Sequence, residues 1–451
     1  MGLRWRERRF LDRIYRIYRI IRALPAMSLL LCSSCIALDT PGRQFYIAFM
    51  NRFREDTPYV FRPARYSRGW ARVIYALSDA LYLHHRHKVR SVKVLSGGER
   101  LLEACRNGHS ILLTPNHSDH CDPHVLLHLS RRYGIAAHFM AARQIFEKKK
   151  GLQGAVLQRA GVFSIDREGT DLRSIKEAMR ILTEARFPLI IFPEGEIYHL
   201  NERLTPLNDG AATLALRVAK KTSSDPAKRV LIIPTAIRYT YTEDISPSFP
   251  ERLAHLEERI LWSPQSHLGV VDRIYKLGEA LVALKEKEYL DRTLSGPLTQ
   301  RLAEFREILI GEEEKTYFDS VSDENHPARV RRLRAKIRSI LLADEKPGAE
   351  TASRCYRSLD RLYFAVQLYS YPGQYLREKV SMDRIAETLH KFEEDIFSLN
   401  RIRGERIAEV TFLDPVDAAA EVPAYSENAR QTVAGVTRRI ESRMREVLEA
   451  R

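Results

Sequence analysis

Between about residues 108 and 245 the chain alternates short apolar runs with longer stretches of helical period. Ser110–Thr114, Ala136–Ala141, Gly161–Ile165, Pro188–Phe192 and Val230–Ile237 read as buried strands. Asp122–Tyr133, Gly151–Arg159, Asp171–Ala185 and Gly210–Ala219 lie between them and read as helices. Strands alternating with helices build an α/β fold with a largely parallel, helix-covered sheet. Ligands of such sheets sit beyond the C-terminal ends of the strands.

After residue 250 the pattern turns amphipathic and helical, over Asp272–Tyr289, Leu298–Leu309, Ala328–Leu342, Ala352–Leu368 and Met382–Leu399. Arg406–Phe412 then alternates as a strand does, and a helix near Glu427–Glu449 closes the chain. A lone strand needs a sheet to pair with. The expected division is therefore an N-terminal segment at 1–50, an α/β domain at 51–250, a mostly helical insertion at 251–404, and a return at 405–451 that completes the α/β domain.

Charge sharpens this division. The 451 residues carry a formal net charge of +15, and residues 1–100 alone hold 20 basic and 7 acidic side chains. One basic end on a near-neutral body points to a single polyanionic contact surface. Arg13, Arg16, Arg19 and Arg22 recur among Ile and Tyr residues, and an apolar run from Ala23 to Leu38 follows. At 16 residues, with Pro25 inside it, that run is short for a spanning helix. An interfacial membrane helix fits best, with arginine heads at lipid phosphates. A cleaved signal peptide, or residues upstream of a start at Met27 or Met50, are the alternatives. The expected location is peripheral or monotopic on the cytoplasmic side of a membrane. The expected partners are anionic lipids and not nucleic acid, since no recognition motif for the latter is present. Five cysteines without framework spacing favour a reduced setting, and the Cys32–Cys35 pair lacks the context of a redox site.

Three clusters after strands carry candidate chemistry. Asn116-His117-Ser118-Asp119-His120-Cys121-Asp122 has a histidine and an aspartate five positions apart, with Pro123 following. His117 could take a proton near neutral pH while Asp122 fixes its tautomer; taken alone, Asp122 is a helix cap. Ser164-Ile165-Asp166-Arg167 ends a strand with a guanidinium suited to phosphate. Phe192-Pro193-Glu194-Gly195 ends another in a tight turn. A metal-dependent hydrolase built on His117, Asp119, His120, Asp122, His124 and His128 is a competing reading, and a non-catalytic lipid-binding scaffold is another.

In this order, with Val230–Ile237 as a fourth block, the clusters resemble those of the glycerolipid acyltransferase superfamily, which includes glycerol-3-phosphate and lysophosphatidic acid acyltransferases. The resemblance covers about residues 100–245 and, weakly, 405–451. It implies His117 and Asp122 as a catalytic dyad, and Arg167, Glu194 and Gly195 as acceptor-binding residues. Pro234 would be structural or line the acyl site. It implies acyl-CoA or acyl-carrier protein as donor, a glycerol-phosphate-type or lysophospholipid acceptor, and no metal or other cofactor. The sequence departs from the family after Gly195. Glu196-Ile197-Tyr198 stands where a hydroxyl and a cation are common, which opens the way to an acceptor without phosphate.

Overall fold

The computed structural model describes residues 59–450 apart from 148–150, 168–170, 226 and 344. The basic segment at 1–50, with Cys32 and Cys35, lies outside the described residues.

One eight-stranded sheet organises the α/β body. Its strands are β1 (Val89–Ser96), β2 (Ser110–Pro115), β3 (His138–Ala142), β4 (Val162–Ile165), β5 (Leu189–Ile190), β6 (Val230–Tyr241), β7 (Arg406–Phe412) and β8 (Val416–Asp417). They run in the order β1-β7-β6-β2-β5-β3-β4, with β8 paired to β6. From β6 to β4 all neighbours are parallel, whereas β7 and β8 pair with β6 antiparallel and β1 lies parallel to β7. The sheet is thus mixed, mostly parallel and covered by helices.

The strand bounds depart from the apolar pattern for local reasons. Only Leu189 and Ile190 of the 188–192 run join the ladder, because the chain then turns out of the sheet through Pro193 and Glu194. β6 continues to Tyr241 because β7 pairs with it from Thr235 onward. β1 has no clean apolar signature: Arg90 and Lys93 interrupt it, as suits a strand at the sheet edge.

Each face of the sheet has its own core. Helices Arg68–Leu77, Gly98–Arg106 and Asp122–Tyr133 bury Tyr75, Leu101 and Val125 on one face. Helices Leu172–Glu184, Gly210–Lys221 and Ala429–Leu448 bury Ile181, Leu216 and Ile440 on the other. Between β6 and β7 the chain is helical and forms two further cores, around Leu253 and Leu389 and around Phe305 and Leu362. There the helix expected at Leu298–Leu309 runs on to Phe318. The acidic stretch after Leu309 does not end it, because the Glu314 carboxylate is fully buried against Arg329 and Arg332.

Candidate active site

His117 sits on the loop that leaves β2, and Asp122 is the first residue of the helix Asp122–Tyr133 that follows it. Asn116 anchors that loop: its side-chain amide donates to the Ile237 carbonyl at 2.9 Å and its Oδ1 accepts the Ile237 N–H at 2.7 Å. His117 Nδ1 then meets Asp122 Oδ2 at 2.9 Å, and the imidazole stacks on Phe192 with ring centroids 4.1 Å apart.

Asp122 does not cap the helix it begins. Its Oδ2 accepts the Asp119 N–H at 3.0 Å and its Oδ1 accepts the Tyr239 hydroxyl at 2.6 Å. With His117 that makes three donors converging on one fully buried carboxyl. They favour the carboxylate, against burial and the neighbouring Asp119 charge, which push its pKa up to about 8. Burial, then the nearby His120 charge, lowers His117 to about 3. With Nδ1 donating to Asp122, Nε2 is the open base, and it makes no hydrogen bond among the described residues.

Glu194 supports this loop from β5. Its Oε1 accepts the backbone N–H of His117 at 2.6 Å. Its Oε2 accepts from the Thr205 amide at 3.1 Å and from the Thr205 hydroxyl. Both oxygens therefore hold protein groups, and burial raises the carboxyl to about 7. Gly195 follows with φ 82°, a left-handed conformation that glycine adopts without strain. Its carbonyl accepts from Arg167, whose guanidinium also lies 3.2 Å from Glu196. The residue that departs from the family pattern thus neutralises the arginine expected at the acceptor phosphate.

His117, Arg167, Glu194 and Gly195 all line one cleft of about 2400 Å³, while Asp122 is sealed behind His117. Trp70 and Val156 from the α/β body, and Arg331 and Tyr369 from the helical region, share its walls.

Residues 96–238 match the family model described as acyltransferase. They form an acyltransferase domain of the glycerolipid superfamily. The chain matches no curated protein. The acyltransferase domain supports acyl transfer as the general activity, and the match spans all five residues singled out above.

Within the acyltransferase domain the histidines expected for a hydrolase metal site do not converge. His124 Nδ1 bonds Ser78 at 2.7 Å and its ring stacks on Tyr82, while His128 meets Asp79 at 3.1 Å. Both turn to the segment after helix Arg68–Leu77. Two other groups of ligand-type side chains do assemble among the described residues: His87, Asp119 and Cys121, and His120, His199 and Glu394. The first already contains a cation, since Arg406 Nη1 lies 2.7 Å from Asp119. Sequence reasoning did not reach Tyr239, Thr205 or Phe192. Tyr239 and Phe192 reach Asp122 and His117 from far along the chain, whereas Thr205 acts one step removed, on Glu194, and only Phe192 stands inside a motif.

Proposed function

We propose that this protein moves a fatty acyl group from an acyl thioester, acyl-CoA or acyl-carrier protein, to a hydroxyl of a glycerol-phosphate-type or lysophospholipid acceptor. The observation that carries the reading is the His117 Nδ1–Asp122 Oδ2 contact of 2.9 Å with Nε2 bare beside a large cleft. Nε2 takes the acceptor hydroxyl proton as the oxygen attacks the thioester carbonyl. The tetrahedral intermediate collapses, the C–S bond breaks, and the thiolate leaves with the proton held by His117. Asp122 stabilises the transient imidazolium, as in other histidine–carboxylate pairs. Glu194 serves by fixing the backbone of His117, and Gly195 by letting the turn close beneath Arg167. No metal enters these steps.

A membrane-bound acceptor suits the cleft rim, where Trp70, Val73, Leu152 and Val156 are half exposed. No helix among the described residues is long and apolar enough to cross a membrane. Residues 1–40 are then the docking element for an anionic surface on the cytoplasmic side. The deciding experiment is an acceptor screen with acyl-CoA and acyl-carrier-protein donors, beside a binding assay on anionic vesicles. Ester product that vanishes in His117→Ala supports the reading; turnover retained in that variant overturns the dyad. Vesicle binding unaltered by deletion of residues 1–40 overturns the docking role.

A further inference from the structure

The loop that carries His117 also carries His120, whose Nε2 lies 3.1 and 3.2 Å from the two carboxylate oxygens of Glu394. His199 Nε2 lies 3.0 Å from the same carboxylate. One ligand atom from each of the three falls within 4.8 Å of the others. The three come from separate parts of the fold: the loop after β2, the segment after β5, and helix Met382–Phe397 of the helical region. His199 is buried and holds a left-handed backbone, φ 55°, uncommon for a non-glycine residue. A fourth imidazole, His390, lies one helical turn before Glu394 and packs edge-on to His199, with ring centroids 5.1 Å apart. It is 4% exposed, and its Nε2 has no hydrogen-bond partner.

Two neutral imidazole nitrogens and one carboxylate make a donor set that suits zinc and neighbouring divalent transition ions. Zinc–ligand bonds of about 2.0–2.2 Å place tetrahedral ligand atoms about 3.3 Å apart. The separations of 3.0 to 3.2 Å at Glu394 are close to that spacing. A simple hydrogen-bonded staple of two imidazoles on one carboxylate would leave the buried His390 nitrogen unexplained. We infer that His120, His199 and Glu394 bind one divalent transition-metal ion of the zinc class, tying helix Met382–Phe397 to the loop that bears His117. His120 and Glu394 both line the cleft, so water can complete the shell from that side. The ion holds the helical region in place and takes no step in acyl transfer. The inference departs from the expectation of no metal and stands apart from the His117–Asp122 reading.

The test uses the full chain, stripped with chelator and titrated with zinc chloride and, separately, cobalt chloride. One equivalent should bind, with visible cobalt absorption and a raised melting temperature. Glu394→Gln, which keeps the shape of the side chain, and His199→Ala should each weaken binding about 10–100-fold or more. His117→Ala, outside the shell, should bind zinc as the parent does, as should Cys32→Ser/Cys35→Ser. Circular dichroism of each variant separates lost ligation from lost fold. The proposal fails if no saturable binding appears at micromolar zinc. It fails equally if folded Glu394→Gln binds as tightly as the parent, or if the cysteine variant abolishes binding.

Discussion

Glu196 lies 3.2 Å from the guanidinium of Arg167, and the same arginine donates to the Gly195 carbonyl. A cation so engaged gives a phosphate less than an unpaired one would, because the incoming anion must compete with a carboxylate already in place. Glu196→Gln should therefore lower KM for a phosphorylated acceptor by about 3–10-fold, since a cation released from one ion pair is worth about 1 kcal/mol at a partly exposed site. Arg167→Ala should raise it. Steady-state kinetics with phosphorylated and neutral acceptors checks both; KM unchanged in both variants points to a neutral acceptor.

The dyad sets the pH dependence. Burial disfavours a net charge on the His117–Asp122 pair, so the pair as a unit gains a proton as pH falls through about 8, the raised value of Asp122. The protonated pair cannot accept the acceptor hydroxyl proton, so kcat/KM should rise with pH and level off above that value. Asp122→Asn removes the carboxylate and should cost roughly 10³–10⁴-fold in kcat. Its residual activity should lose the limb near 8, because burial still holds a lone His117 below its ordinary value. A pH–rate profile of both proteins is the measurement, and an unmoved limb in Asp122→Asn would assign it to another group.

Glu194 holds the backbone of His117 rather than facing the cleft with a free oxygen. Glu194→Ala removes the acceptor for that N–H and for Thr205, leaving buried donors unsatisfied at about 1–3 kcal/mol each. Activity should fall mainly through kcat, with a lower melting temperature. A pure rise in acceptor KM would instead mean that the carboxylate touches substrate.

Asp119 and Arg406 form a buried ion pair at 2.7 Å, and the guanidinium also donates to the His87 carbonyl. Burial alone would raise the Asp119 carboxyl; the Arg406 charge overrides it and holds the group well below the carboxylate range. Arg406→Ala strands that charge and should cost about 3–5 kcal/mol of stability, read from denaturant unfolding. Arg406→Ala/Asp119→Ala should recover part of it.

How far the sequence reaches follows from chain distance. The His117–Asp122 contact is legible because five positions and one loop contain it, and the strands are legible where they are apolar throughout, as in β2. The supports are not. Tyr239 reaches Asp122 from 117 positions away, and Glu394 reaches His120 from 274 positions away. No local pattern encodes such pairings. Glu196 was visible as a departure from the family, but its pairing with Arg167 depends on two loops meeting after different strands. The apolar pattern stops at Leu309, short of the end of helix Leu298–Phe318, because burial of Glu314 reverses what a polar residue signals.

β7 has a consequence for how the protein is made. It lies between β1 and β6, so residues 406–412 separate and bridge strands that left the ribosome far earlier. Until they emerge, the last seven residues of β6 present an unpaired edge. Pairings this remote are slow to close and leave partly folded chains prone to associate. A nascent chain stalled anywhere in the helical stretch would thus carry its complete set of acid–base residues on an unfinished sheet. Synthesis of residues 406–412 becomes the step that commits the sheet.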